Sequence, residues 1–270
     1  SDLPTKTRWG SAASPIFYKD RLILNAIEET GRVYSVRRED GTIVWEFDPK
    51  STLVYATPNL LRTQDGATEL IVPAPERVYG IDPETGKQKW FADTTLTNEM
   101  NGSVIVKDDV AYLYGGFQGV GSLAVRGGGS GDVTDSHVLW TSNDTSYIAT
   151  PVLDDGFLYW LNLSGIAHTV DSKTGERVQR RRVPGVRGGR GVKFFASMIL
   201  AGDHVYAVSR RSGTFVLKAT PDFPLVSQNS FEDDESEFNG TPAISNGKLF
   251  LRSNRFLYCI GQSSSTQVKE

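Results

Sequence analysis

Short apolar runs rich in β-type residues recur along the chain at a nearly constant interval, with turn residues between them. The clearest marker is a large, usually aromatic residue, followed by a small residue and then by Val, Ile or Leu. It occurs six times: Tyr34-Ser35-Val36, Tyr79-Gly80-Ile81, Leu123-Ala124-Val125, His168-Thr169-Val170, Phe215-Val216-Leu217 and Tyr258-Cys259-Ile260. Successive copies are 43 to 47 residues apart. A period in this range, with strands inside each unit, is typical of a radially repeated sheet.

A second marker, Ser or Thr, recurs upstream of the first in the same phase. Its copies are Ser14, Thr57, Ser103, Thr150, Ser197 and Thr241, and Pro follows four of them. Because Pro has no N–H and a fixed φ, it suits the first residue of a strand and not its middle. We therefore predict that the first strand of each unit starts here. A tight turn such as Asp155-Gly156 or Asn246-Gly247 then leads into the second strand.

The third strand of each unit carries the first marker, and turn residues follow it. Asp82 with Gly86 and Asp171 with Gly175 have the side-chain acceptor and the positive-φ residue that tight turns use. A tryptophan then stands at a fixed position of the fourth strand, where a large ring suits packing between blades; the copies are Trp45, Trp90 and Trp140. The sequence thus predicts an all-β fold, a β-propeller of four-stranded antiparallel blades with six units visible.

We predict one propeller domain over residues 1–261 and a flexible polar tail over residues 262–270. The sixth unit stops after its third strand, so the chain is either a piece of something longer or Leu3–Arg8 supplies the missing outer strand. Cys259, the one cysteine, occupies the small-residue position of its marker and is expected to be a buried structural thiol. No apolar run approaches the length of about 20 residues that spans a bilayer, so we expect no transmembrane segment.

The combination of Ser/Thr-Pro, Tyr-x-(Val/Ile)-Asp-x-x-Thr-Gly and a later Trp resembles the pyrroloquinoline-quinone-like (PQQ-like) β-propeller repeat. Three stretches are most similar to exported repeat proteins of planctomycete-type bacteria: residues 9–15, 128–140 and 251–260. The resemblance implies an eight-bladed ring in full-length members, of which these units correspond to the C-terminal six. It also implies an exported protein of the periplasm or cell envelope. The family contains quinone-dependent dehydrogenases as well as a non-catalytic outer-membrane assembly lipoprotein.

The residues favour a non-catalytic role over an enzyme, without settling the question. The quinone dehydrogenases of this family carry a vicinal cysteine pair and often a Cys-x-x-Cys-His haem segment, which one cysteine excludes. The histidines, at positions 137, 168 and 204, fall in three different units without metal-ligand spacing, and His168 is expected to pack between blades. We therefore expect no catalytic residue, no metal and no cofactor, with PQQ as the alternative.

A basic segment over residues 177–193 stands out in the fourth unit. Its glycines would let the cations converge on a carboxylate or phosphate, and the candidate residues for an anion or partner site are Arg180, Arg181, Arg182, Arg187, Arg190 and Lys193. The rival interpretation is a solvated strand edge whose charge prevents edge pairing. Nucleic acid is not expected, because the net charge is −3 and few aromatic residues lie nearby.

Two further segments have a structural and a binding interpretation. The glycine-rich run Gly127–Gly131 predicts a long hairpin turn, with an ion or phosphate site as the alternative. The acidic run Glu232–Glu237 is expected to neutralise the neighbouring basic segment, with a bound cation as the less favoured option. The sequence as a whole favours a binding or scaffolding propeller that recognises a protein or glycan through blade loops or the channel mouth. The alternative is a small-molecule site in the channel, for quinone-dependent oxidation or carbohydrate chemistry.

Overall fold

The chain forms six antiparallel sheets that follow one another in sequence order. The computed structural model describes residues 10, 12–116, 121–186 and 193–261. Each sheet consists of consecutive strands paired in chain order, which is the arrangement of propeller blades. This confirms the predicted all-β propeller architecture.

The first three blades have four antiparallel strands each. Their strands are β1 (Ile16–Tyr18), β2 (Arg21–Ala26), β3 (Arg32–Arg37) and β4 (Ile43–Phe47) in blade 1; β5 (Asn59–Arg62), β6 (Thr68–Ala74), β7 (Arg77–Ile81) and β8 (Gln88–Asp93) in blade 2; and β9 (Ile105–Lys107), β10 (Val110–Tyr114), β11 (Ser122–Arg126) and β13 (Val138–Ser142) in blade 3. A short strand, β12 (Gly131–Asp132), precedes β13. Two four-residue helices interrupt the pattern, α1 (Ile27–Thr30) after β2 and α2 (Thr134–His137) before β13.

Blades 4 and 5 have four strands, and three are described in blade 6. The strands are β14 (Val152–Asp154), β15 (Phe157–Leu161), β16 (Ile166–Asp171) and β17 (Arg177–Arg182) in blade 4; β18 (Ile199–Ala201), β19 (His204–Val208), β20 (Thr214–Lys218) and β21 (Leu225–Asn229) in blade 5; and β22 (Ala243–Ser245), β23 (Lys248–Arg252) and β24 (Leu257–Ile260) in blade 6. The predicted strand starts and turns are confirmed, since β14 begins two residues after Thr150 and β22 two residues after Thr241.

The first sequence marker coincides with a bulge between the third and fourth strands of blades 1 to 5. The register shifts directly after the small residue in each case: Ser35, Gly80, Ala124, Thr169 and Val216. The residue paired with this position on the fourth strand is Trp45, Trp90 or Trp140 in the first three blades. A Cβ atom added at Gly80 would lie 2.0 Å from the Trp90 ring. The marker requires a small residue because a large ring lies across it.

The predicted packing of these rings between blades is confirmed at two seams. The indole nitrogen of Trp45 donates a hydrogen bond of 3.0 Å to the carbonyl of Pro83, in the turn of blade 2. Trp140 does the same to Ser172 of blade 4, at 2.9 Å. Each ring therefore joins the fourth strand of its own blade to the turn of the next.

The Ser/Thr marker forms a second set of links between successive blades. The backbone N–H of one marker donates to the hydroxyl of the next, from Ser103 to Thr150 at 3.0 Å and from Thr150 to Ser197 at 2.9 Å. The same bond joins Ser14 to Thr57 and Ser197 to Thr241. These residues start the first strand of each blade, so the hydroxyls fix the blades to one another along their inner edges.

The expectation for Cys259 is wrong, because its side chain is exposed. In blades 1 to 5 a fourth strand covers the equivalent position, whereas no described residue pairs with the outer edge of β24. The segment Leu3–Arg8 and the tail 262–270, on which two predictions depended, lie outside the described residues. Among the described residues, no helix has the length and apolar character needed to cross a lipid bilayer.

Candidate functional site

A polar groove lies at the end of blades 1 and 2 where the chain passes from one blade to the next. We call this end of the blades the connection face, because it carries the loops between second and third strands and the loops between blades. The groove has a volume of 810 Å³ and is lined by residues of three loops: Pro49–Leu53, Pro75–Arg77 with Tyr79, and Asp93, Thr94, Thr97 and Asn98. We refer to these residues as the connection groove.

Backbone hydrogen bonds between blades hold the three loops of the groove together. Met100 is at the centre: its N–H donates to Leu53 at 2.9 Å, and its carbonyl accepts from Tyr55 and Ala56. The turn of blade 2 is tied in by the N–H of Glu76, which donates to Leu96 at 2.6 Å. Inter-blade loops are ordinarily the mobile parts of a propeller, so this network makes the groove a preformed surface.

Four non-glycine residues of the groove have a left-handed backbone conformation. They are Lys50 (φ 55°), Leu53 (φ 62°), Glu76 (φ 65°) and Asn98 (φ 62°). Asn tolerates this region, but for Leu, Lys and Glu it is uncommon and costs roughly 1 kcal/mol or more each. Backbone strain of this kind persists where surrounding contacts enforce it, and it concentrates at binding sites.

Charges of both signs surround the groove in fixed pairs. Lys50 Nζ lies 2.7 Å from Asp48 Oδ2, and hydrogen bonds from Lys50 lower the pKa of Asp48. Arg77 pairs with Asp93 at 2.6 Å and its guanidinium lies 4.1 Å from the centre of the Phe91 ring. A smaller hollow of 330 Å³, lined by Thr30, Gly31 and Arg32, continues the groove onto blade 1 through the shared residues Lys50, Ser51 and Thr52. The resulting surface suits an extended polar segment more than a small apolar ligand.

The sequence profile of one protein family, described as outer membrane protein assembly factor BamB and designated PQQ_2, matches residues 29–270. The chain belongs to this family. This confirms the resemblance to PQQ-like propeller repeats that the markers indicated. No protein of the curated set matches the sequence.

Solved structures of several functions share the fold. BamB from Moraxella catarrhalis superposes with a TM-score of 0.68 at 15% identity, over 92% of this chain and 71% of that one. The C-terminal WD40 domain of Sif2 gives 0.65 at 12% identity, over 91% and 67% of the two chains. Quinohemoprotein alcohol dehydrogenase from Comamonas testosteroni gives 0.60 at 15% identity, over 82% of this chain and 43% of that one. At these identities the similarity shows the fold alone, so it does not select between a scaffold and a dehydrogenase.

The structure separates the residues of the predicted anion site. Arg180 and Arg182 are exposed on β17, and Arg182 donates to the carbonyl of Ser164 at 3.2 Å. Arg181 is half-buried and faces blade 5, where it donates to the carbonyl of Phe223 at 2.8 Å. Lys193 is tied to Leu163 and Arg210 through its backbone. Arg187 and Arg190 lie outside the described residues, so convergence of the whole set stays a prediction.

His168 is buried between blades 3 and 4, in contact with a carboxylate and an indole. Its ring stacks on Trp160 with 4.9 Å between centres, and its Nδ1 lies 3.4 Å from Asp144 Oδ1. Arg177 grips the same carboxylate through two hydrogen bonds of 2.7 and 2.8 Å. Burial alone would raise the pKa of Asp144, but the contacts with His168 and Arg177 outweigh it and hold that pKa well below its usual range. Within the described ranges, no group of three or more His, Cys, Asp or Glu side chains is placed to hold a metal ion.

The glycine-rich run is more than the predicted hairpin turn. It joins the third and fourth strands of blade 3, but its end, β12, pairs parallel with β8 and adds a fifth strand to blade 2. The carboxylate of Glu69, which has no exposed side-chain surface, accepts hydrogen bonds from Gly128 N–H at 2.9 Å and from the Trp90 indole at 2.7 Å. A carboxylate of the protein therefore occupies the Gly128 N–H that a phosphate would need.

The acidic run makes its described ion pairs within blade 5. Glu237 pairs with Arg210 and Arg211, both in the loop between β19 and β20. Its neighbour Asp234 accepts from the Tyr258 hydroxyl of blade 6 at 2.8 Å. These contacts provide the run with partners other than the basic segment.

Sequence reasoning missed the connection groove. Asp48-Pro49-Lys50-Ser51 reads as an ordinary turn, and nothing in the residue types signals that Leu53 adopts a positive φ. A signal did exist in the spacing: the loop between the fourth strand of blade 1 and Thr57 is longer than a tight turn needs.

Proposed function

We propose that this chain is a non-catalytic scaffold that binds a protein partner in the connection groove. The observation that carries the proposal is the groove itself, in which inter-blade hydrogen bonds hold three loops in a strained, preformed shape. A preformed surface loses little conformational entropy on binding, which favours affinity. Membership of a family described as an outer membrane protein assembly factor supports a protein as the partner and the periplasm or cell envelope as the location.

Site-specific photo-crosslinking tests the proposal. A photoreactive phenylalanine analogue is placed at Thr52, which is exposed and lines both hollows of the groove, and at the control position Thr141 on the outer strand of blade 3. Both are exposed threonines, so the two variants differ in location alone. We expect irradiation of intact cells to give a discrete protein adduct from position 52 and none from position 141. Adducts of equal yield at both positions, or none at either, contradict the proposal.

A small-molecule site in the central channel is the second candidate. It is supported by the similarity in fold to a quinohemoprotein alcohol dehydrogenase. Addition of pyrroloquinoline quinone with calcium would then raise the melting temperature saturably, because a ligand bound to the folded state alone stabilises it. It would also allow reduction of an electron-accepting dye by alcohols or sugars. The scaffold proposal expects neither effect.

The exposed arginines of β17 are proposed as a second binding surface, for an acidic protein segment or an anionic glycan. Arg180 and Arg182 carry this proposal, because Arg181 is engaged at the seam with blade 5. Replacing both by Glu should abolish retention on heparin at low salt, since binding of polyanions depends on cation contacts. The double variant Arg37→Glu and Arg38→Glu changes the net charge equally at another exposed site and should be retained. Loss of retention in both variants, or in neither, refutes a specific site.

A further inference from the structure

Large aromatic rings fill the seams between the described blades, with one exception. Trp45 fills the seam between blades 1 and 2, and Trp140 the seam between blades 3 and 4. Between blades 4 and 5 the ring comes from the other side: Phe223 is fully buried and lies 5.0 Å from the Tyr159 ring of blade 4. Between blades 2 and 3, Trp90 is fully buried and the added strand β12 covers it.

At the seam between blades 5 and 6 the equivalent residue is Ser227. The register identifies it, because Ser227 pairs with Val216 as Trp45 pairs with Ser35 and Trp140 with Ala124. The bulge that follows Val216 is the same bulge. A serine side chain thus stands where an indole stands at two other seams.

A cleft of 750 Å³ lies at this position. Its apolar walls come from both blades, and we call the following residues the seam slot: Tyr206, Val216 and Val226 of blade 5, and Ile244, Leu249 and Ile260 of blade 6. Val226 is 53% exposed and Ile244 43% exposed, so apolar surface that equivalent rings cover elsewhere is open here. Polar groups of Ser227, Asn229 and Ser230 also line the cleft and provide the acceptor oxygens that an indole N–H needs.

We propose that the seam slot receives an aromatic side chain, foremost a tryptophan, from a protein partner. The occupant is named by the protein's own repeats, which place an indole at this position and give its N–H an oxygen acceptor. Burying such a ring removes a large apolar area from water, and anchors of this kind dominate interface energetics. The proposal extends the scaffold function by naming one chemical group of a partner, and the slot is a surface separate from the connection groove.

Filling the slot from within the chain is the first test. Ser227→Trp should insert its ring and raise the melting temperature by about 3 to 6 °C, with the new indole emitting at short wavelength. Ser245→Trp is the matched control, because Ser245 is exposed on β22 and is not among the lining residues. Its indole should emit as a solvated ring without stabilising the protein. A Ser227→Trp protein that is no more stable than the wild type, or whose indole is solvated, overturns the proposal.

Binding of a free indole to the wild-type protein is the second test, and it stands even if Ser227→Trp fails to fold. N-acetyl-tryptophanamide should give saturable NMR shifts at the methyl groups of Val216, Val226 and Ile244 at millimolar concentration. N-acetyl-leucinamide should shift them at least threefold less at the same concentration. Shifts that are absent, unsaturable or equal for the two probes refute the slot. Because neither probe requires the biological partner, failure here is distinguishable from failure of the crosslinking experiment.

Discussion

Trp45 lies against Gly86 of the next blade so closely that a Cβ atom on this glycine would come within 2.7 Å of the ring. Gly86 also has a φ of 70°, a conformation that L-residues with side chains seldom adopt. The same relation joins Trp140 to Gly175, where the distance would be 2.6 Å. The turn glycine thus has two independent reasons to be glycine, one in the backbone and one in the seam.

Gly86→Ala and Gly41→Ala separate these two reasons. Gly41 occupies the equivalent turn of blade 1 with a φ of 73°, but a Cβ atom there would meet nothing within 4 Å. Ala at position 41 should cost about 1 kcal/mol of unfolding free energy from the backbone conformation. Ala at position 86 should cost about 1 to 3 kcal/mol more, because the Trp45 ring must move. Urea denaturation measures both, and equal losses would show that the ring does not press on the turn.

Glu69→Ala should detach the glycine-rich segment from blade 2. The substitution leaves the Trp90 indole and the Gly128 N–H without their acceptor, and each buried donor left unsatisfied costs about 1 to 3 kcal/mol. We expect a loss of at least about 3 kcal/mol and new proteolytic cleavage within residues 127–131. Glu46→Ala is the control, because its pair with Arg32 is exposed and contributes about 0 to 1 kcal/mol. Normal resistance to proteolysis in Glu69→Ala would contradict the assigned role.

Asp144→Asn should remove part of the acid sensitivity of the fold. The pKa of Asp144 is depressed in the folded state, so its stabilising effect is present above the unfolded value of 3.8 and is lost as the pH falls below it. At pH 7 the variant should be less stable by about 1 to 3 kcal/mol, the usual worth of hydrogen bonds to a charged group. The difference should shrink between about pH 5 and pH 2. A difference that is the same at pH 7 and pH 2 would rule out this linkage, and Asp20→Asn, an exposed position, controls for the loss of one charge.

The repeated features of the fold were accessible from sequence, because each repeats a local physical requirement. Pro after Ser or Thr starts the first strand, a small residue accommodates the ring across the bulge, and glycine permits the turn. Cys259 shows where this reasoning fails: its position in the repeat was identified correctly, but its burial depends on a neighbouring strand that is not among the described residues. The role of Glu69 was also hidden, since its partners Trp90 and Gly128 come from other strands and a distant loop.

The connection groove could not be predicted for the same reason. Its shape depends on hydrogen bonds between Met100 and the loop that contains Leu53, which are about 45 residues apart and lack a distinctive residue type. The seam slot was legible in part, because the tryptophan is missing from the fifth repeat. Its consequence became visible when the cleft was measured between blades 5 and 6.

The affinity of the crosslinked partner for groove variants tests the central claim most directly. Thr52→Arg places a bulky charged side chain in the connection groove, and Thr141→Arg places the same side chain on the outer strand of blade 3. With the partner purified, the account predicts that Thr52→Arg weakens binding by about 100-fold or more, while Thr141→Arg changes it less than about threefold. Wild-type affinity for the Thr52→Arg protein would contradict the claim that this groove is the binding surface.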